Sequence, residues 1–216
     1  PYADVRIGAF IGKKLINASR AKTGRSPITY PRYLSTDQLA EYAPELPDTI
    51  LGSRFLAEHK THDDPVTTIH PDATYRVAGP TRHPVEENQR VLAFMDALRA
   101  ATKGDKSALP AAGQLMFAAH DSYKNNCHLS VPEVDFLVDA VKKRGPESGL
   151  YGAKITGGGT GGTVAIFGHL DALATHVPQI AADYSRRVGA MPDIFEGTSP
   201  GAVEFGARRY SFGPRG

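Results

Sequence analysis

Between Asp4 and Ala18, Ile7, Ile11 and Leu15 stand at i, i+4 and i+8, the spacing of one apolar helix face. Lys13 and Lys14 come late in this stretch, where cations suit the helix dipole, and a first helix is expected there. From Ala21 to Pro84 the pattern weakens. Ser35 to Glu41 and Thr49 to Lys60 read as helical, while Pro27, Pro31, Pro44, Pro47, Pro65, Pro71 and Pro80 punctuate the rest, so this region is expected to be a helical, loop-rich and partly mobile insertion. Periodicity returns over Glu86 to Ala101, with Val91, Met95 and Leu98 on one face. It continues over Lys106 to Lys124, with Leu115, Ala119 and Tyr123; a Lys-Gly-Asp turn at residues 103–105 should join the two as an antiparallel pair. Ser130 followed by Glu133 has the capping-box spacing. Val134, Leu137, Val138 and Val141 supply the buried stripe of the helix it opens, which should end before Gly145.

The period then shortens. Leu150 to Thr156 and Thr163 to Phe167 read as strands, separated by Gly157, Gly158, Gly159, Thr160, Gly161 and Gly162. Leu170, Leu173, Val177, Ile180, Tyr184 and Val188 restore helical spacing over Asp171 to Val188, with Pro178 expected to kink or break the run. Asp193 to Glu196 and Glu204 to Tyr210 can each supply a further strand. The order strand, loop, strand, helix, strand predicts an antiparallel four-stranded sheet of ferredoxin-like type with helices on one face, an α+β fold. The chain divides accordingly into a leading helix (1–20), an insertion (21–84) and a core (85–216).

At 216 residues the chain suits one elaborated domain. Twenty-five Lys and Arg against 23 Asp and Glu give a net charge of +2, which offers no field for nucleic acid or an anionic membrane. Cys127 is the single cysteine, so no disulfide forms within the chain, and a reducing, cytoplasmic setting is expected. No apolar run approaches a membrane span and no signal peptide is visible. The chain starts at Pro1 and enters a helical pattern at once, which reads as a piece cut from something longer.

Glycines permit left-handed backbone and let successive N–H groups converge into an anion-binding nest. A slack hairpin turn would use the same residues. Neither the Walker fingerprint nor the dinucleotide fingerprint fits, because the first is absent and a strand, not a helix, follows the loop. His59, His62, Asp63, Asp64, His70 and His83 contain metal-ligand types. Their irregular, proline-broken context favours solvated loop histidines over a metal site.

The segment "AKITGGGTGG" resembles the third conserved motif of the GHMP kinase superfamily. "RHPVEENQRV" from Arg82, "AAGQLMFAAHDSYKNNCHLSVPEVDFLVD" from Ala111 and "GLYGAKITGGGTGG" follow one another as in the C-terminal half of galactokinase-like sugar kinases. The run G-G-G-T-G-G-T, "MPDIFEGTSPGA" from Met191 and "YADVRIGAFIGKKLI" at the N-terminus look more like the L-arabinokinase branch. The resemblance implies the C-terminal domain of an ATP-dependent monosaccharide 1-kinase of L-arabinokinase or galactokinase type, using ATP and Mg²⁺. The same family includes sugar- and ATP-binding regulatory proteins without turnover, which is the alternative.

The family's phosphate-gripping helix, its sugar-reading segment and its catalytic aspartate are not found here and are expected upstream of Pro1. By resemblance, then, the chain carries no catalytic residue, lacks the N-terminal ATP- and sugar-binding domain that is its natural partner, forms one wall of an interdomain cleft, and is inactive and prone to self-association alone. Gly157, Gly158, Gly159, Thr160, Gly161 and Gly162 match the cleft loop, which would support the phosphate region without being its main grip. A valine at Gly159 is expected to lower activity while changing stability little. Lys154 matches a basic motif position and would contact phosphate or remain solvated. His120, Ser122 and Tyr123 match a helix expected to pack beneath the loop. Ser130 would line the cleft or serve only as a cap.

Overall fold

The computed structural model describes residues 2–197 and 201–209. Helix α1 (Tyr2–Lys22) buries Ile7, Ile11 and Ile16, the same face that the spacing marks. The insertion packs on it. Helix α2 (Thr36–Glu41) starts with a capping box between Ser35 and Gln38, and strand β1 (Thr49–Leu51) precedes helix α3 (Gly52–His59). The segment from Thr49 is therefore strand first and helix second. The reason is a partner distant in sequence: Ile50 pairs with Tyr75 of strand β2 (Thr74–Arg76) in a two-stranded antiparallel ladder. Phe55, Ile69, Tyr75 and Val77 then join Ile7 and Ile11 in one apolar cluster, while Leu34, Leu39, Tyr42 and Val85 gather around Ile16. The insertion thus shares the core of the leading helix.

Helix α4 (Ala78–Thr102) begins eight residues before its apolar stripe becomes regular. Pro80 sits in its first turn, where the missing N–H costs nothing. Pro84 lies inside and forfeits the bond to the carbonyl one turn earlier without ending the helix. Helix α5 (Ala108–Asn125) returns antiparallel after the turn at Lys103 and Gly104. Helix α6 (Pro132–Arg144) departs from expectation at its start. Its N-cap is Val131, which has no side-chain cap, and Pro132 occupies the first turn, so Ser130 is free to bond elsewhere.

Strands β3 (Leu150–Thr156) and β4 (Thr163–Gly168) form an antiparallel hairpin with a register shift between Leu150 and Gly152. Helix α5 lies directly on β3, because a Cβ on Gly113 would stand 1.9 Å from the Tyr151 carbonyl oxygen. Phe117, Val138, Val141, Leu150, Ala153 and Ile180 form the core here, the last of them from helix α7 (Leu170–Val188). Pro178 interrupts one hydrogen bond of α7 but does not break it.

Among the described residues the two sheets have two strands each, and the four-stranded sheet is not formed. Residues 193–196 have no regular structure and leave Phe195 83% exposed, while the Glu204 region forms the short helix α8 (Ala202–Phe205). An apolar run becomes a strand only where an edge receives its backbone. Tyr210, the end of the last expected strand, lies outside the described residues. No described helix is long and apolar enough to cross a membrane.

Candidate functional site

The hairpin loop from Gly157 to Gly162 is built almost wholly from left-handed backbone. Gly157, Gly159, Gly161 and Gly162 have φ of 79°, 80°, 90° and 139°, and Thr160 joins them at 57°. For a β-branched residue that conformation costs about 1–3 kcal/mol and persists only where surroundings enforce it. Two contacts do so. The Thr160 amide donates to the Leu129 carbonyl at 2.7 Å, and the Tyr123 hydroxyl donates to the Gly157 carbonyl at 3.1 Å. Gly159 is pressed between these anchors: a Cβ there would lie 2.7 Å from both Cβ and O of Leu129 and 2.9 Å from Cε1 of Tyr123.

The loop therefore has two sides. Its middle is fixed to the connection between α5 and α6, whereas Cβ positions at Gly157, Gly158, Gly161 and Gly162 meet nothing within 4 Å. The Thr160 amide is engaged inward and its hydroxyl donates to the Gly159 carbonyl at 2.8 Å. A slack turn would lack such fixation. The outer glycine backbone is what remains for a ligand.

Beneath the loop, His120 is buried on α5. The Ile155 amide donates to its Nδ1 at 3.4 Å, so the ring proton resides on Nε2, which donates to Asp135 Oδ1 at 3.1 Å. Asp135 also accepts from the Ser130 hydroxyl at 2.6 Å and, through Oδ2, from Lys124 at 2.8 Å. Burial opposes ionisation of this carboxyl, but the bonds from Lys124 and Ser130 outweigh it and hold its pKa below the ordinary value. Ser130 thus serves Asp135 and not the helix cap.

On the α4 side, His83 contacts Tyr123 edge to face at 5.3 Å, and its Nδ1 lies 3.0 Å from Ser122 Oγ, which also accepts from Asn126 at 2.9 Å. Burial pulls the His83 pKa down, which favours the neutral ring. Burial pushes the Cys127 thiol up to about 12, with Glu87 adding to the rise, which removes it as a nucleophile. Lys154 Nζ lies 2.8 Å from Glu87 Oε1, and Arg90 Nε lies 2.8 Å from Glu87 Oε2. Desolvation opposes ionisation of Glu87, but these two cations win and its pKa is lowered. Lys154 is half-buried in an ion pair.

The histidine-rich set is dispersed. Asp64 is clasped by Arg6 through two bonds of 2.8 Å and accepts from Thr67, whose Oγ1 lies 2.9 Å from His62 Nε2. His62 and Asp64 are buried, so they are not solvated loop residues; they fasten the insertion to α1. His83 belongs to α4 and the loop floor. Among the described residues no three His, Cys, Asp or Glu side chains gather to hold a metal. Two grooves, of about 370 Å³ beside Leu39, Asp48 and Arg82 and about 270 Å³ beside Arg90, Met95 and Lys154, are not lined by the glycine loop.

Leu129, Asp135 and Glu87 contribute to the site yet do not stand out in the sequence as functional residues. The one available signal was an acid in the first turn after Ser130, but Glu133 has the better capping spacing and draws attention from Asp135.

No family model matches the chain. The L-arabinokinase of Arabidopsis thaliana is 38% identical over 241 aligned residues, covering 96% of this chain and 23% of that protein. A galactokinase of Mannheimia succiniciproducens is 33% identical over 148 residues, covering 68% of this chain and 35% of its own length. The crystal structure of Lactococcus lactis galactokinase complexed with galactose superposes with a TM-score of 0.55 at 22% identity, over 83% of this chain and 37% of that one. The chain spans about a quarter to a third of the length of these relatives.

Proposed function

We propose, from the premise that this chain belongs to the galactokinase-like sugar kinases of the GHMP superfamily, that it forms one wall of the cleft in which a complete kinase moves the ATP γ-phosphate to a monosaccharide hydroxyl. The observation that carries this is the glycine loop: its inner side is pinned, its outer backbone is open, and Thr160 is held in a strained conformation. Such a surface admits an ATP phosphate close to the main chain without a Cβ in the way. ATP with Mg²⁺ supplies the transferable phosphoryl group and its charge neutralisation. Mg²⁺ would sit on the ATP phosphates in the complete kinase.

In this scheme Gly157, Gly158, Gly161 and Gly162 border the transferring group, and Gly159 and Thr160 hold the loop in place. Lys154, on the strand that leads into the loop, is paired with Glu87 and would reach phosphate only by leaving it. Phosphoryl transfer depends on positioning and electrostatics, and the catalytic base and main phosphate grip are assigned to the part of the kinase beyond this chain. The preferred sugar is L-arabinose, with galactose the competitor, because the arabinokinase matches nearly the whole chain, including the insertion. Exposed Val91, Leu92 and Met95 on α4 offer apolar surface for the remainder of the kinase or for self-association.

The test is a coupled ADP-release assay on the complete kinase with arabinose and with galactose, and on the same kinase carrying Gly158→Val. Sugar-dependent turnover that the substitution lowers at least tenfold, with unchanged melting temperature, supports the reading. Full activity in that variant would remove the loop from the phosphate region.

A further inference from the structure

We infer that Asp135 is the positioning residue of the glycine loop, holding together the three supports on which that loop rests; its bearing on phosphoryl transfer depends on the kinase reading above. Three bonds fix the loop and the strand that enters it. Ile155, near the end of β3, donates its amide to His120; the Tyr123 hydroxyl holds the Gly157 carbonyl; the Leu129 carbonyl holds the Thr160 amide. In each of these bonds the partner outside the hairpin is, or adjoins, a residue bonded to the Asp135 carboxylate. His120 donates to it directly at 3.1 Å, Lys124 follows Tyr123 and reaches it at 2.8 Å, and Ser130 follows Leu129 and reaches it at 2.6 Å.

The chemistry requires a carboxylate. It accepts from an imidazole, a hydroxyl and an ammonium on two oxygens at once, which an amide cannot do because its nitrogen only donates. The imidazole is consumed on both sides: Nδ1 accepts from Ile155 and Nε2 donates to Asp135. With both ring nitrogens of His120 engaged by neighbours, the cluster is suited to holding the loop. The segment they secure is under strain, since His128 has φ 53° on the connection and Thr160 has φ 57° on the loop. Left-handed conformations at two such residues relax unless the surroundings over-determine them. Asp135 also stands in the first turn of α6, where any acid gains from the helix dipole, and a test must separate that general effect from the clamp.

Amide hydrogen exchange on the chain separates them. Asp135→Asn keeps one acceptor oxygen and loses the ion pair, Asp135→Ala loses every bond, and Glu133→Ala removes another first-turn acid that is exposed. Expected is roughly tenfold faster exchange at Thr160 and Ile155 in Asp135→Ala and an intermediate rate in Asp135→Asn, with Leu173 on α7 unchanged. Glu133→Ala should leave Thr160 and Ile155 protected. Should Asp135→Ala fail to fold, the Asn variant decides by the same comparison. Equal protection at Thr160 and Ile155 in Asp135→Asn and Glu133→Ala overturns the inference. In the complete kinase, Asp135→Asn should raise KM for ATP several-fold and leave KM for the sugar unchanged, as a loop serving the phosphate side requires. Exchange needs no turnover, so an inactive complete protein would sink the kinase reading while the exchange result still judges the clamp.

Discussion

Replacing Gly159 by alanine puts a Cβ where Leu129 Cβ, Leu129 O and Tyr123 Cε1 already stand at 2.7, 2.7 and 2.9 Å. Two of these atoms are fixed by the backbone of the α5–α6 connection and cannot yield as a flexible side-chain end would. The left-handed φ of 80° adds about 1–2 kcal/mol for a non-glycine residue, and overpacking adds about 1–3 kcal/mol. The molecule has a cheaper response. Letting the loop lift off Leu129 sacrifices the Thr160 and Tyr123 hydrogen bonds, each worth about 1 kcal/mol net, so the global loss is capped near 2 kcal/mol. At about 2–4 °C per kcal/mol for a chain of this size, the melting temperature should fall by about 4–8 °C, and Thr160 should lose exchange protection. Stability and loop order change together, in contrast to the sequence-based expectation that only activity would suffer. Gly158→Ala is the control, because its Cβ meets open space. Differential scanning fluorimetry with site-resolved exchange measures both. A Gly159→Ala protein melting within 1 °C of the parent with Thr160 still protected would refute the packing argument.

The isolated chain should release no ADP with ATP and either arabinose or galactose, and activity should appear when the remainder of the kinase is added; sugar-dependent turnover by the chain alone would relocate the catalytic groups into it. Glu87 and Asp135 have folded pKa values held below their ordinary ones, so their stabilisation is present above the unfolded carboxylate range near pH 4 and is lost as pH falls through the lower folded values. Urea midpoints measured from pH 6 down to pH 3 should decline, and Glu87→Gln should flatten the decline; an unchanged slope would contradict the pairing with Lys154. Asp64→Ala should destabilise the protein by about 1–3 kcal/mol, because it strips a buried carboxylate from Arg6 and Thr67, and a double-mutant cycle with Arg6→Ala should show coupling. Additive effects in that cycle would mean that the insertion is fastened to α1 by other contacts.

The elements that can be read in the sequence are those whose signal lies within one or two helical turns. Ile7, Ile11 and Leu15 mark α1, Val134, Val138 and Val141 mark α6, and the glycine run flanked by β-rich residues marks the β3–β4 hairpin. Periodicity marks an apolar stripe, since the spacing is a property of the helix alone, yet Val91 and Met95 of the α4 stripe stay exposed. It does not report what covers that face. The pairing of Thr49–Leu51 with Thr74–Arg76, the ion pair joining Lys154 to Glu87 across 67 residues, and the clasp of Arg6 on Asp64 exist only when distant segments meet. The glycine loop shows the division most clearly. Its composition foretold left-handed backbone. That Thr160 shares the conformation, that Gly159 is wedged against Leu129, and that a carboxylate on α6 secures the supports were decided by packing between α5, α6 and β3, because a side chain's partner depends on the path of the whole chain and not on its neighbours in sequence.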